Sequence, residues 1–313
     1  MYTIKEASAR SGVSIPLLRA WERRYGVVSP KRTSAGYRLY DEEAIHRLAA
    51  MRRLIAAGWA AQQAADRVRA AGPETLAGMI SDATRVPGGT SDQPLHVDGP
   101  SNAQQLVDRL VQAARRLDAP ALEAALDDVF GAARFEAAGD TVLMPALRAI
   151  GDAWARGELS VAGEHATSQA VLRRLAMAYE AAGAPVASRP VLVGLGPGAR
   201  HELGALAFAT AARRAGLPVL YLGPDLPAES WMSAAVERDA RAAVLGVPTR
   251  ADVARAREVL AELRRARPGM LLAVGGAQAH QAAKEDAAVE LPHGLAQSAR
   301  HLREELDHHA DPD

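Results

Sequence analysis

The chain has 313 residues and no cysteine, a length that predicts two or three domains. Without thiols, disulfides, thiolate metal sites and cysteine nucleophiles are all excluded. The start of the chain lacks an apolar signal core, and no apolar run approaches the ~20 residues of a membrane span, so we expect a soluble, cytoplasmic protein with no membrane partner.

Charge is unevenly distributed although the formal net charge is zero. Residues 1–69 contain 13 Lys and Arg against 6 Asp and Glu, and the rest of the chain balances this excess. Cations near phosphates release condensed counterions, so a basic head favours a polyanionic partner. Charge alone leaves open a basic helix surface that is merely solvated.

Composition divides the chain into four stretches. Residues 1–71 are charged and predict a small DNA-binding domain, and residues 72–102, rich in Gly, Pro, Ser and Asp, predict a flexible linker. Residues 103–184 have helical spacing of Leu and Ala and predict a four-helix bundle. Residues 185–313 alternate apolar runs with helical segments, which predicts a doubly wound, flavodoxin-like α/β domain. The predicted strands of this domain are 191–195, 219–222, 243–247, 271–274 and 287–291.

The basic head carries the pattern of two short helices joined by a tight turn. Thr3 and Glu6 predict a capping box that begins the first helix, and Ser14 is expected to cap the second. Such a pair predicts a helix-turn-helix, whose second helix enters the major groove. Its arginines that could reach phosphates and base edges are Arg19, Arg23 and Arg24.

A basic, turn-rich segment follows and ends in an alternating aromatic strand, which predicts a wing. The patterns Arg19-x-Trp21-Glu22-Arg23-Arg24-Tyr25-Gly26 and Arg32-Thr33-x-x-Gly36-x-Arg38-x-Tyr40 occur in this order. Because of these two patterns, residues 2–68 resemble the N-terminal domain of the MerR family of regulators. The resemblance implies a winged helix-turn-helix that binds double-stranded operator DNA as a dimer. The DNA-contacting residues that we infer are Arg19, Arg23, Tyr25, Arg32, Thr33, Arg38 and Tyr40.

In the helical stretch, Trp154 ends an otherwise aliphatic stripe, and Glu164 and His165 are adjacent polar residues in an apolar helix. A packed indole and a partly exposed ion pair would account for them. The spacing also resembles the Trp-x9-Glu-His motif of light-sensing, cobalamin-dependent regulators of the CarH and LitR type. That resemblance implies a bundle that covers the upper face of adenosylcobalamin, with Trp154 on the adenosyl group and Glu164 and His165 near its ribose and the cobalt.

The loop after the first strand of the α/β domain lies where such domains bind ligands. A dinucleotide is one candidate ligand, but His201 occupies the position of the third glycine in Gly196-x-Gly198-x-x-His201. The other candidate is a metal, for which imidazole is a good ligand. His201-x-x-Gly204 resembles the Asp-x-His-x-x-Gly motif of cobalamin-binding modules. By this resemblance His201 is the lower cobalt ligand, and the pair Gly275–Gly276 lets the displaced nucleotide tail pass.

The chain departs from that motif at two positions. The carboxylate that supports the ligand histidine in the family is replaced by Ala199, and Thr249 stands where a Ser-x-Leu pattern often occurs. We expect the Thr249 hydroxyl to take the place of that serine. Arg200 and Asp225 lie on adjoining loops where family members assemble, so we expect a salt bridge between subunits.

Together these resemblances imply a light-responsive repressor rather than an enzyme. We expect the chain to bind operator DNA in the dark as an adenosylcobalamin-dependent homo-oligomer, a dimer or a tetramer, and to release it when light breaks the cobalt–carbon bond. Linked DNA-binding heads would bind with high effective concentration. The alternatives are a MerR-type regulator that senses cobalamin or another small ligand without a light response, and a cobalamin-dependent methyltransferase module.

Overall fold

The described residues fall into two units. The structure is a computed structural model that describes residues 1–13, 15–33, 36–56, 61–81, 99–132, 134–183, 189–283 and 288–309. One unit comprises residues 1–170 and 180–182, and the other comprises residues 171–179 and 183–313. No helix in these ranges is long and apolar enough to cross a membrane.

The head is a winged helix-turn-helix, as predicted. Thr3 Oγ1 accepts the Glu6 amide, and Glu6 bonds back to the Thr3 amide, so the predicted capping box begins the first helix. Gly12 ends this helix at φ +68°, a left-handed conformation that glycine adopts without strain. The predicted cap Ser14 lies outside the described residues. The elements are β1 (Tyr2–Thr3), α1 (Ile4–Ser11), α2 (Ile15–Tyr25), β2 (Lys31–Arg32), β3 (Arg38–Tyr40), α3 (Glu42–Ala56) and α4 (Ala61–Ala70), and the sheet order is β1-β3-β2.

The segment predicted as a flexible linker is helical at both ends. Helix α5 spans Pro73–Ser81 and buries Leu76, and helix α6 begins at Gly99. The linker prediction is therefore wrong for residues 73–81 and 99–102, while residues 82–98 lie outside the described part of the chain. The pair Gly72-Pro73 is typical of a loop, but proline is also well tolerated in the first turn of a helix.

The helical middle contains four helical segments, as predicted. Helix α6 (Gly99–Arg116) is followed by α7 (Ala119–Ala132), by α8 (Phe135–Ala138) continued through a π-helical turn (Gly139–Leu143) into α9 (Met144–Ala155), and by α10 (Val161–Ala181). Ile150, Ala153 and Leu159 pack on Ala114 in a buried cluster. Helix α10 meets α6 closely at Gly163, where a Cβ atom would lie 2.6 Å from the Ala114 carbonyl oxygen.

The C-terminal domain is a five-stranded parallel sheet with helices between the strands, as predicted. The strand order is β5-β4-β6-β7-β8, with β4 and β6 next to each other near the centre. The central strands are buried on both faces, which explains their continuous apolar sequences. The strands are β4 (Val191–Leu195), β5 (Val219–Gly223), β6 (Ala242–Gly246), β7 (Leu271–Gly275) and β8 (Val289–Glu290). The helices are α11 (Leu203–Arg214), α12 (Ala228–Glu237), α13 (Val253–Ala266), α14 (Ala279–Ala283) and α15 (Leu295–His309).

The turn after β7 requires glycine. Gly276 has φ +101°, and a Cβ atom there would lie 2.9 Å from the Val247 carbonyl oxygen. The Val247 carbonyl also accepts the Gln278 amide, so this oxygen is held in place. The loops after β6 and β7 can therefore approach each other only if residue 276 has no side chain.

Replacing Gly276 by alanine should destabilise the chain. The cost should be about 2–4 kcal/mol, from the strained φ and the close contact together. Urea unfolding followed by circular dichroism measures it. Gly269→Ala is the matched control, because a Cβ there meets nothing within 4 Å. Equal midpoints for the two variants would contradict this account of the turn.

Candidate functional site

The loop after β4 presents a histidine at the carboxyl edge of the sheet. The Glu202 amide donates to the Arg200 carbonyl over 2.9 Å, which closes a three-residue turn with His201 at its apex. His201 is exposed, and within the described ranges its imidazole has no hydrogen-bond partner. An imidazole that faces solvent without an internal partner is available to an external ligand.

The predicted glycines meet around the same edge. Gly204 lies in the first turn of α11 with nothing within 4 Å of where its Cβ would be, and Gly275 has only the Leu291 side chain at 3.8 Å. Gly276 is exposed, and its lack of a side chain is already required by the approach of Val247. Glycine at these three positions adds no side chain to this edge of the domain.

The Thr249 hydroxyl has a local role. It donates to Asp252 over 2.6 Å, and the Thr249 amide donates to the same carboxylate over 2.9 Å. This capping arrangement begins a short 3-10 helix at Arg250–Asp252. The hydroxyl proton is therefore engaged within the loop, and only the oxygen lone pairs remain for a ligand.

Asp225 lies on the loop after β5 and contacts the histidine loop. Its Oδ1 accepts the Gly198 amide over 2.6 Å, and its own amide donates to the Ala199 carbonyl over 2.9 Å. Arg200 Nη2 is 3.9 Å from Asp225 Oδ2 in the same chain, and the Arg200 side chain is 82% exposed. The pairing of these two residues between subunits stays a prediction.

The residues predicted from the bundle lie at the end of α9 and the start of α10. The Trp154 side chain is 50% exposed, so the indole is not packed in a core. His165 Nδ1 lies 2.6 Å from Glu164 Oε2, and the Ser168 hydroxyl donates to the other oxygen of Glu164 over 2.6 Å. The Glu–His contact expected from the residues alone is therefore present, and Glu164 is held in place while His165 remains exposed.

Both sets of residues fit a cobalamin. The α/β domain offers an unengaged imidazole as a donor for cobalt and an open glycine edge beside it. The bundle offers an exposed indole and a polar pair, suited to a nucleoside-like group with an apolar ring and hydroxyls.

In the head, most of the predicted DNA-contacting residues can reach a ligand. Arg19, Arg23 and Arg32 are exposed, and Thr33 is partly exposed in the turn of the wing, where its hydroxyl accepts the Tyr37 amide. Tyr25 is half-buried at the end of α2. The structure brings the exposed arginines to the second helix and the wing, as a winged helix-turn-helix requires.

Glu22 ties the wing to the second helix, which the sequence analysis missed. Its carboxylate accepts two bonds from Arg38 Nε, at 2.9 and 3.0 Å, and one from the Tyr40 hydroxyl at 3.3 Å. Both bonds of Arg38 come from Nε, so its terminal amino groups can still meet a phosphate. The sequence signal for this contact is Glu22 itself, an acidic residue between arginines in a basic helix. Such a residue indicates a cationic partner within the head.

Tyr40 is not a DNA contact, contrary to the prediction. Its side chain is fully buried and its hydroxyl donates to Glu22. Burial raises the pKa of Tyr40 to about 12, and the nearby Glu22 carboxylate acts in the same direction. The hydroxyl therefore stays protonated near neutral pH, as a donor inside the head.

Arg24 is also not exposed for DNA. Its Nη2 lies 2.8 Å from Glu123 Oε2 and its Nε 3.4 Å from Asp127 Oδ1, both on α7. Its guanidinium is thus occupied by two carboxylates of the bundle. The sequence spacing placed Arg24 on the second helix but could not show which surface it faces.

Comparisons with known proteins agree with this arrangement of domains. The model described as "MerR HTH family regulatory protein" matches residues 2–70, and two models described as "B12 binding domain" match residues 106–179 and 190–299. The "HTH-type transcriptional repressor CarH" of Myxococcus xanthus is 35% identical over 94% of this chain and 95% of that protein. The chain belongs to the MerR family, in its CarH-like group.

This MerR-family regulator has further relatives at lower similarity. The "HTH-type transcriptional repressor CarA" of Myxococcus xanthus is 29% identical over 75% of this chain and 72% of that protein. The Methanosarcina barkeri monomethylamine corrinoid protein superposes with a TM-score of 0.54 at 14% identity, over 64% of this chain and 98% of that one. This likeness shows a shared fold. The regulator is thus a MerR-type DNA-binding protein with B12-binding domains.

Mutations in the head should distinguish residues that contact DNA from residues that only make hydrogen bonds within the head. Arg19→Ala should weaken binding to a duplex selected by the wild type about tenfold, as loss of a base or phosphate contact does. Arg38→Ala should weaken binding to selected and unrelated duplexes alike. Tyr40→Phe should stay within about twofold of the wild type because the lost hydroxyl is buried. Fluorescence anisotropy over a salt series measures all three, and a tenfold loss in Tyr40→Phe would restore that residue as a contact.

Proposed function

We propose that this regulator is a repressor that binds adenosylcobalamin and responds to light. In the dark it binds operator DNA as a cofactor-dependent oligomer, and it releases DNA after illumination. The observation that carries the proposal is the exposed imidazole of His201 at the apex of its turn, which has no hydrogen-bond partner among the described residues. The family membership supports the DNA-binding part.

Each site residue has a role in this proposal. His201 would bind the cobalt, Gly204, Gly275 and Gly276 would leave room for the cofactor, and Thr249 would offer an oxygen lone pair. On the bundle, Trp154 packs on the adenosyl group. Glu164, held by Ser168, accepts hydrogen bonds from ribose hydroxyls, and the exposed His165 lies next to it.

Light acts through the cofactor, and the chain converts the change into loss of DNA. Adenosylcobalamin, when bound, supplies a cobalt–carbon bond that light breaks. Trp154, whose exposed indole would pack on the adenosyl group, would lose this contact, and the free energy that it gives to the dark arrangement of the bundle would be removed. Separation of the oligomer would end the avidity of linked heads and release the operator.

A regulator that senses cobalamin without light is the second candidate. Ala199 favours the form of this candidate that senses another small ligand, because this buried position carries no carboxylate to support His201 as a cobalt ligand. A methyltransferase module has less support, because it leaves the DNA-binding head without a use. We therefore propose a regulatory rather than an enzymatic role.

The decisive experiment compares dark and illuminated protein. Full-length chain with adenosylcobalamin should retard a selected duplex in the dark, and illumination should weaken the binding at least about tenfold. His201→Ala should lower cobalamin affinity by at least about tenfold, since it removes a metal ligand. Titration by visible absorption and gel retardation measure the two effects. If retardation of the duplex depends on cobalamin but is equal in dark and light, the protein is a cobalamin sensor and the proposed light response is wrong.

The proposed subunit contact has its own test. Arg200→Glu should reduce the dark oligomer while cobalamin uptake stays as in the wild type, because the exposed guanidinium would be replaced by a charge that repels Asp225. Size-exclusion chromatography with light scattering measures the mass. Arg255→Glu, an exposed arginine paired only locally with Glu258 in this chain, is the matched control. An unchanged mass for Arg200→Glu would remove Arg200 from the interface.

A further inference from the structure

The conformation of the histidine loop depends on a neighbouring loop. Residue 199, where the resembled motif has a carboxylate, is a buried alanine, so that position offers no side-chain acceptor. The loop is nevertheless bonded on both sides of His201. The bonds come from β5 and from the loop that follows it, which indicates that this neighbouring element holds the turn.

Asp225 holds the side before the histidine. Its Oδ1 accepts the Gly198 amide over 2.6 Å, and its amide donates to the Ala199 carbonyl over 2.9 Å, so the side chain and the backbone of one residue clamp two consecutive peptide groups. Asp225 has φ +53°, a left-handed conformation that is uncommon for a residue with a side chain and most tolerable for Asn, Asp and Gly. This backbone conformation is what lets both bonds form at once.

Tyr221 holds the side after the histidine. Its hydroxyl donates to Glu202 Oε2 over 2.9 Å, and its backbone amide donates to the Tyr179 hydroxyl over 2.9 Å. Tyr221 is on β5, two strand residues before Gly223, so it moves with the sheet. The turn from Arg200 to Glu202 is thus anchored at Gly198 and Ala199 on one side and at Glu202 on the other.

We propose that Asp225 is a positioning residue for His201. Its carboxylate and amide hold the turn that presents the imidazole to cobalt, whereas in the resembled motif a carboxylate two residues before the histidine bonds to the histidine itself. The role of Asp225 in cobalt binding rests on the proposed function. Its role in holding the loop does not. It is distinct from the subunit salt bridge, because it depends on a hydrogen-bond acceptor at 2.6 Å rather than on the charge facing Arg200 at 3.9 Å.

Three substitutions separate the acceptor from the charge. Asp225→Asn keeps an oxygen for the Gly198 amide and tolerates the positive φ, but removes the charge. Asp225→Ala removes the acceptor, and Asp225→Gly removes it while relieving the backbone strain, so at least one variant without the acceptor should fold. Asp239→Ala is the matched control, because Asp239 also has a positive φ, +44°, and pairs with Arg189 and Arg267 away from this loop.

The first measurement needs no cofactor. Amide hydrogen exchange of residues 196–202 in the full-length chain should be at least tenfold faster in Asp225→Ala and Asp225→Gly than in the wild type. Asp225→Asn and Asp239→Ala should stay within about threefold of the wild type. Unchanged exchange in both variants that lack the acceptor would overturn the proposal.

The second measurement reads the ligand directly. Protein containing nitrogen-15-labelled histidine is loaded with hydroxocobalamin and reduced to the cobalt(II) form, and electron paramagnetic resonance reports the fraction of cobalt that carries a histidine nitrogen. In the wild type and Asp225→Asn, all of the cobalt should carry a histidine nitrogen. In Asp225→Ala and Asp225→Gly, this fraction should be reduced severalfold. If Asp225→Asn behaves like Asp225→Ala, the charge is what matters and the proposal is overturned. If the wild type takes up no cobalamin, the proposed function fails and with it the cobalt role of Asp225, while hydrogen exchange still decides whether Asp225 holds the loop.

Discussion

The bond from the Glu202 amide to the Arg200 carbonyl is the contact on which the proposed cofactor site depends. It closes a turn of three residues and leaves the imidazole of His201 at the apex, facing solvent. A side chain at the apex of so tight a turn cannot fold back onto its own loop. The rest of the edge follows from this constraint, since the neighbouring loops must support the turn without covering the imidazole.

Different loops support the turn and leave the imidazole of His201 accessible. Asp225 and Tyr221 bond to the backbone and to Glu202 on either side of the turn, whereas glycine at 204, 275 and 276 adds no side chain to the edge. The parallel sheet makes this possible, because the carboxyl ends of all its strands meet at one edge. A site of this kind is rigid in its backbone and open in its side chains, which is what a large flat ligand needs.

In the head, one internal carboxylate plays a similar supporting role. Glu22 takes one nitrogen of Arg38 and the hydroxyl of Tyr40, so the wing and the second helix are held together from inside. Arg19 and Arg23 remain exposed on the same helix. A basic surface for DNA is therefore built around an internal carboxylate that orients one of its cations, and Arg24 is directed instead to carboxylates on α7.

Sequence by itself determined the domain order and the strands of the sheet, and it singled out the histidine that we propose as the cobalt ligand. These rest on local signals: apolar runs for buried strands, a capping box for α1, and motif spacing for His201 and Trp154. Tertiary structure alone decided that Tyr40 is internal, that Thr249 caps a 3-10 helix, that residues 73–81 form a helix and that Asp225 bonds to the histidine loop. Asp225 lies 27 residues from Gly198 in the chain, and no periodicity or spacing encodes that pair. Such contacts arise when separate loops meet at a sheet edge, and the partner of a polar side chain there is set by three-dimensional proximity.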